Sequence, residues 1–450
     1  MTRAEKREMR LNLQKEIAAF IRIQNHVFPN LIKDMRAVLD TRKQNYITYE
    51  IEVILYVMIM KNVCSIASMQ EMTDSFNMEE CARNIFKILG LPEKDYLPHY
   101  VTVNDCLKKL DNAELEKLRK KMIYNMIRGK AFDKAKFLGE YWLVIVDASQ
   151  LFCFDERHCE HCLKKTVNKG KPEEKTYYYH EVLEAKIAFS DGMIISLATE
   201  FIENPNESPT KQDCELNSFK RLAVSLKKMF PRLPICLLAD SLYACQPVFE
   251  ICRANNWEFL IRFKDGSIPT LATEFYAIMD MGEADEAVKD VEKVFKRKAN
   301  ISEKHKMRWV NDLDYQGKNV AVLELEIERN RKKWKQFKWI SSQPITVRRA
   351  AEFAETGRKR WMIENEGFNI QKNHRYIITH ANSLNYNAMK NHYLLTQIAD
   401  ILLQLYEIGV KGLRLLMRTI ENISKSLLDC LQKEALTTED LTFEKFQMRT

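Results

Sequence analysis

Three acidic residues, widely separated in the sequence, could together support metal-dependent chemistry. Asp147 follows the apolar run 141–146, Asp240 follows the apolar run 235–239, and Glu364 lies in the helical segment 360–364. Two strands that each deliver an aspartate, followed by a late helix that carries a glutamate, can bring three carboxylates to one edge of a sheet. Because such oxygen ligands suit Mg²⁺ or Mn²⁺, the pattern predicts a site for two divalent ions that catalyses phosphoryl transfer.

The elements that would position these carboxylates form a mixed α/β core. Residues 142–146 are a continuous apolar run with β-branched residues, typical of a strand buried on both faces. Runs 182–189 and 193–201 flank the turn Ser190-Asp191-Gly192 and predict a hairpin. A helix over 216–229, a strand over 235–239, a helix over 246–255 and a strand over 258–263 are predicted next. This order predicts an α/β protein with a ribonuclease H-like mixed sheet and flanking helices.

A β-rich insertion is predicted between the second aspartate and the glutamate. Residues 283–298 are interpreted as charged helix or coil, and strands are predicted over 306–310, 320–328 and 336–341. In the second of these strands, apolar Leu323 and Leu325 alternate with glutamates, as in a strand with one buried face. The core would therefore be interrupted before its last helices.

Helical regions are predicted at both ends of the chain. Helical spacing of apolar residues extends to about residue 135, and helices are predicted again from 347, over 387–406 and over 411–431. Residues 62–75 are compatible with a helix-turn-helix that binds DNA, or equally with part of an ordinary helical bundle. The predicted domains are a helical DNA-binding region (1–135), the first part of the core (136–265), the insertion (266–345), the second part of the core (346–405) and a helical C-terminal region (406–450).

The composition is that of a globular protein with a modest excess of positive charge. The 70 Lys and Arg residues against 62 Asp and Glu residues give a net charge of +8, which favours a polyanionic partner. Basic clusters at 329–335, 348–349 and 358–360 flank Glu364. The longest apolar runs are far shorter than the ~18 residues that span a bilayer. Residues 2–8 lack the apolar stretch of a signal peptide, so a cytoplasmic location is expected.

Several short motifs resemble a known family. They are Val146-Asp147, then Leu238-Ala239-Asp240-Ser241-Leu242-Tyr243, residues 338–344, and Arg360-Trp361-Met362-Ile363-Glu364-Asn365. Over residues 140–405 the chain resembles the DDE transposases of bacterial insertion sequences, in the group with a β-strand insertion in the ribonuclease H-like core. The resemblance implies that Asp147, Asp240 and Glu364 hold the metal ions. It also implies nicking of transposon ends, their transfer to target DNA, and a homodimer on DNA.

The signature of that group is Tyr, two residues, Arg, three residues, Glu, six residues, Lys. Arg360 and Glu364 match it, whereas the tyrosine position falls on Gly357 and Lys372 comes one residue late. Either an extra residue within 365–368 displaces the lysine, or its role is filled otherwise. Glu366 is a rival for the third carboxylate, although the Arg-to-Glu spacing favours Glu364.

The resemblance also assigns contacts to DNA. Arg360 and Lys372 would bind phosphates, with a salt bridge to Glu364 as the alternative for Arg360. Trp339 would stack on a base flipped out of the transposon end, or would be an ordinary core tryptophan. The alternative functions are those of a domesticated or inactive DNA-binding relative and of a structure-directed nuclease on the same fold.

A last motif, His158-Cys159-Glu160-His161-Cys162, leaves two interpretations open. Its two cysteines have the spacing of zinc ligands, and Cys153 and His180 are the candidates for completing a tetrahedral site. Alternatively, the segment is a basic loop with reduced thiols. Eleven scattered cysteines do not otherwise indicate a disulfide framework.

Overall fold

A computed structural model describes residues 16–129, 132–189, 192–206, 209–295, 298–329, 332–410 and 419–441. The expectations for residues 2–8, for Ser190 and Asp191, and for the start of a helix at Lys411 lie outside the described residues. The described strands form one ten-stranded sheet. They are β1 (Trp142–Phe154), β2 (Leu163–Val167), β3 (Lys175–Ala188), β4 (Ile194–Ile202), β5 (Ile235–Ala239), β6 (Glu258–Arg262), β7 (Asp285–Phe295), β8 (Lys298–Asp314), β9 (Asn319–Arg329) and β10 (Lys332–Ser341).

The core half of the sheet has the strand order β4-β3-β1-β5-β6. Strands β1, β5 and β6 are parallel neighbours, and β3 pairs antiparallel with β1 and with β4. This arrangement confirms the predicted ribonuclease H-like mixed sheet. Strands β5 and β6 and residues 142–146 of β1 are almost entirely buried, as their continuous apolar runs require.

The insertion extends the core sheet. Strands β7 to β10 pair antiparallel in sequence, and the end of β10 pairs with β6 through Trp339↔Arg262 and Ser341↔Leu260. The interpretation of residues 283–298 as helix or coil is wrong, because β7 occupies 285–295. The charged residues of this segment lack the apolar pattern that predicts a strand. They are tolerated because β7 pairs only with β8 at the edge of the sheet, where both faces tolerate charge.

Helices account for most of the described N- and C-terminal regions, as predicted. In chain order they are α1 (Glu16–Val27), α2 (Leu31–Arg36), α3 (Ile51–Val63), α4 (Met69–Phe76), α5 (Glu79–Leu89), α6 (Tyr100–Leu107), α7 (Asn112–Arg128), α8 (Glu215–Met229), α9 (Gln246–Ala254), α10 (Pro269–Asp280), α11 (Ala350–Arg358), α12 (Tyr386–Gly409), α13 (Ile420–Lys433) and α14 (Thr438–Leu441). Two π-helical segments, Ile363–Asn369 and Gln371–Arg375, lie between α11 and α12.

The N-terminal helices pack on the core rather than standing apart from it. All 13 residues of α3 are buried, and α1, α3 and α7 contact α12, which is itself buried along most of its length. The buried Arg119 of α7 donates hydrogen bonds to Ser196 and Thr199 of β4. Because α3 is buried on all sides, only α4 of the proposed helix-turn-helix could enter a DNA groove. None of the described helices is both long and apolar enough to cross a membrane.

Candidate active site

Asp147 lies where β1 loses one of its two neighbours. The pairing of β1 with β5 ends at Ile145↔Leu238, whereas its pairing with β3 continues to Phe154↔Tyr178. The prediction that the strand ends at Asp147 is therefore wrong, because β3 extends it by seven residues beyond position 147. The Asp147 side chain lies at the open edge beside the end of β5.

Asp240 occupies the position directly after β5. Its Oδ1 accepts a hydrogen bond of 2.8 Å from the backbone N–H of Leu242, which caps a short 3₁₀ turn. The carboxylate orientation is thus fixed by local backbone structure. Because β1 and β5 are parallel, Asp147 and Asp240 emerge at the same edge of the sheet.

Arg360 lies between the carboxylates of Asp147 and Glu364. Its Nη1 lies 2.7 Å from Glu364 Oε1 and 3.6 Å from Asp147 Oδ2. The salt bridge predicted as the alternative role of Arg360 is therefore present, and it also includes Asp147. The guanidinium group holds together two carboxylates that would otherwise repel each other.

The electrostatics of the site are unfavourable for a bare Asp147 carboxylate. Burial raises the pKa of Asp147 to about 7; Arg360 opposes this rise, and the negative charges of Glu364, Glu215 and Asp240 add to it. Among the described residues, the oxygens of Asp147, Asp240 and Glu364 do not form a group lying entirely within 4.8 Å. The three carboxylates are therefore loosely clustered, and the positive charge beside them does not balance their negative charge.

Glu364 and its rival Glu366 have different surroundings. Glu364 accepts the hydrogen bond from Arg360 and raises the pKa of Asp147 through its charge. Glu366 is exposed, and its charge is not among those that shift the pKa of Asp147. The geometry favours Glu364 as the partner of the two aspartates.

The backbone conformation explains why Lys372 can follow Glu364 one residue later than in the family signature. Glu364 and Lys372 are eight residues apart, whereas the family signature places them seven apart, or about two α-helical turns. Both lie in π-helical segments, whose i→i+5 hydrogen bonds make each turn wider. The wider turns absorb the extra residue. Burial lowers the pKa of Lys372, and the charges of Glu181 and Asp147 counteract this shift, so the lysine is close enough to Asp147 to interact with its charge.

Trp339 does not have the exposed position that stacking on a DNA base requires. Its side chain is buried, with 2% of the residue exposed, and its ring stacks on Phe337. The expected DNA contact therefore needs correction: in this structure Trp339 is a core residue. A Cβ at Gly357 would lie 2.4 Å from Trp339 Cε2. The indole therefore occupies the space that a side chain at this signature position would need.

Gly357→Ala is therefore expected to destabilise the protein. An added methyl group must displace the buried indole of Trp339, and overpacking of this kind costs about 1–3 kcal/mol. Thermal unfolding followed by circular dichroism should show a lower melting temperature. Gly266→Ala is the matched control because a Cβ there meets nothing within 4 Å. Equal melting temperatures for the two variants would contradict the proposed packing.

An exposed tryptophan lies close to the carboxylates instead. Trp361 is 50% exposed, and the guanidinium of Arg360 lies 4.8 Å from its ring centroid. Trp361 borders a cavity of about 830 Å³ whose wall also includes Phe337 and the basic residues Lys335, Arg358 and Lys359. This surface, the Trp361 pocket, combines an aromatic face with positive charge.

Two further residues of the site were not predicted from the sequence. Glu215 at the start of α8 accepts a 2.7 Å hydrogen bond from the buried Tyr243 hydroxyl. Burial raises the pKa of Glu215, and the charge of Asp240 raises it further. Tyr243 lies in the motif that follows Asp240, but Glu215 carries no local signal, since only the tertiary fold brings α8 to the end of β5.

More than half of the chain is similar to a known protein family. A family model described as "Transposase DDE domain" matches residues 139–399, which include the three carboxylates, Arg360, Lys372 and the whole insertion. No curated protein matches the chain significantly.

Proposed function

The chain belongs to the transposase DDE domain family, and we propose that it catalyses cut-and-paste transposition of an insertion sequence. The observation that carries the proposal is the cluster at the sheet edge, where Arg360 contacts both Asp147 and Glu364 beside Asp240. The proposed reactions are nicking at the ends of the element and joining of those ends to target DNA.

The residues present suit divalent metal ions. Asp147, Asp240 and Glu364 offer the oxygen ligands that Mg²⁺ and Mn²⁺ prefer. The raised pKa of the buried Asp147 reflects a local excess of negative charge that cations would neutralise. These three residues would hold the ions. When bound, two such ions activate an attacking water or 3′-hydroxyl and stabilise the leaving oxygen.

The remaining residues of the site would bind and orient the DNA. The Arg360 guanidinium is shared between two carboxylates, so it can transfer its hydrogen bonds to a phosphate oxygen once their charge is neutralised. Lys372 interacts electrostatically with Asp147 and Glu181, and it would bind a neighbouring phosphate. The hydrogen bond from Tyr243 would keep Glu215 in place beside Asp240.

The Trp361 pocket would bind an unpaired base close to the cleaved bond. Base stacking on an aromatic side chain is worth about 1–3 kcal/mol, and the pocket offers both a half-exposed indole and basic residues. Trp361→Ala should weaken binding of element-end DNA about 5- to 150-fold. Trp361→Phe should restore most of the affinity, as measured by fluorescence anisotropy. Equal weakening by both variants would argue against stacking.

The test of the function uses the DNA that flanks the gene. The protein is incubated with Mg²⁺, a supercoiled target plasmid and labelled duplexes that carry the flanking sequences. Strand-transfer products would support the transposase. Cleavage that does not depend on the flanking sequence would indicate a structure-directed nuclease, and binding without cleavage would indicate an inactive DNA-binding relative.

The proposed transposition needs the two ends of the element to be held together. We therefore propose a homodimer on DNA. Light scattering of the complex with element-end duplexes should give two chains per pair of ends, and a complex of one chain with one duplex would contradict this.

A further inference from the structure

A second cluster of chemically reactive side chains lies apart from the carboxylates. Cys159 Sγ lies 3.6 Å from Cys162 Sγ, and His180 Nε2 lies 3.4 Å and 3.3 Å from these two sulfurs. Among the described residues, these three form the one group of at least three His, Cys, Asp or Glu ligand atoms that all lie within 4.8 Å. Cys153, the other cysteine considered from the sequence, is exposed and does not belong to the group.

The distances match a tetrahedral metal site. With Zn–S of about 2.3 Å and Zn–N of about 2.0–2.1 Å, tetrahedral angles place two sulfurs about 3.8 Å apart and sulfur and nitrogen about 3.6 Å apart. The observed separations are within about 0.3 Å of these values. A disulfide would need sulfurs about 2.0 Å apart, so the two thiols are not bonded to each other at 3.6 Å.

We propose that Cys159, Cys162 and His180 bind a zinc ion. Two thiolates and an imidazole are ligands that select Zn²⁺ over the hard cations proposed for the carboxylates. The site is independent of the catalytic proposal, since none of its ligands belongs to the carboxylate cluster.

The ligands are held in place before any ion binds. The backbone N–H of Cys159 donates to Cys162 Sγ at 3.3 Å, and the N–H of Cys162 donates to the carbonyl of Cys159 at 3.2 Å. Both bonds close a tight turn that points the two sulfurs to one side. The ring of His180 packs against the rings of Phe152 and Tyr386, with centroids 5.4 Å and 5.2 Å away, which limits its rotation.

The fourth position of the tetrahedron has space beside it. All three ligands line a cavity of about 380 Å³, whose wall also contains Glu156 and His158. A water molecule or one of these side chains can complete the coordination from the cavity side.

The ion would connect the loop that precedes β2 to strand β3. Cys159 and Cys162 lie in the loop before β2, whereas His180 lies on β3. The β2–β3 hairpin carries exposed lysines at 165, 169, 171 and 175. Zinc would therefore fix the base of a strongly basic hairpin, and its loss would loosen the hairpin without removing the catalytic carboxylates.

Metal analysis of the purified full-length protein tests the proposal directly. Inductively coupled plasma mass spectrometry should find one Zn²⁺ per chain in the wild type and close to none in Cys159→Ser or His180→Gln. Cys153→Ser is the matched control, because Cys153 is exposed and outside the cluster, and it should keep the zinc. Wild-type protein without zinc, or zinc retained by both ligand variants, would overturn the proposal.

Two measurements guard against loss of metal through misfolding. Cobalt exchanged into the wild type should give thiolate-to-metal charge-transfer and tetrahedral ligand-field absorption, and an octahedral spectrum without thiolate bands would contradict the assigned ligands. Limited trypsin digestion should cleave the hairpin lysines faster in Cys159→Ser than in Cys153→Ser, with the rest of the chain equally resistant. If trypsin cleaves Cys159→Ser rapidly throughout the chain, the cobalt spectrum of the wild type decides. Tetrahedral absorption with thiolate bands supports the zinc site, and an octahedral spectrum without them overturns it.

Discussion

Glu364→Gln is expected to lower strand cleavage and strand transfer by more than about 100-fold. Loss of residues that merely orient metal ligands costs 10- to 100-fold, so loss of a ligand should cost more. Glutamine keeps the size of the side chain and can still accept from Arg360, whose Nη1 lies 2.7 Å from Glu364 Oε1. The substitution removes the charge and little of the packing.

Glu366→Gln is the matched control for this prediction. It lies two residues away on the same π-helical segment, is exposed, and is not among the groups that chiefly shift the pKa of Asp147. Its activity should remain within a few-fold of the wild type. The two variants should be compared in single-turnover assays with element-end duplexes and Mg²⁺, with DNA affinity measured in Ca²⁺. If Glu366→Gln were the inactive variant, the third ligand would be misassigned.

Asp147→Asn is expected to abolish catalysis and, at the same time, to stabilise the metal-free protein above pH 7. The pKa of Asp147 is about 7 in the folded protein, above the value of about 3.9 for an unperturbed aspartate. The folded state therefore holds this proton more tightly than the unfolded state. The contribution of this proton to the stability of the wild type is fully present below about pH 4 and is lost as the pH rises to about 7. The loss lowers the free energy of unfolding by at most about 4 kcal/mol.

Thermal unfolding in EDTA tests this relation between function and stability. At pH 8 the Asp147→Asn variant should melt at a higher temperature than the wild type, and the difference should shrink towards pH 5 as Asp147 becomes protonated. Mg²⁺ should raise the melting temperature of the wild type at pH 8 and that of the variant much less, because binding stabilises only the state that binds. A variant that is no more stable than the wild type in EDTA at pH 8 would disprove the proposed charge repulsion.

Most of the core was predictable because its signals are local. A buried parallel strand needs a continuous apolar run, so the runs before Asp147 and Asp240 identified two neighbouring strands. The Arg360–Glu364 spacing is one helical turn, and it correctly placed a charged pair side by side. The charged strand β7 was missed because edge pairing with β8 overrides its composition.

By itself, the sequence determined which residues could do chemistry and which strands would deliver the two aspartates, because both depend on residue type and short-range periodicity. Only the tertiary structure decided which of these residues lie at the site. Packing against Gly357 buries Trp339, and the π-helical segments bring Lys372 close enough to Asp147 to interact with its charge. Contacts between distant elements place Glu215 beside Asp240 and His180 beside Cys159. The physical reason is the same in each case: side chains far apart in sequence meet only once strands and helices have packed.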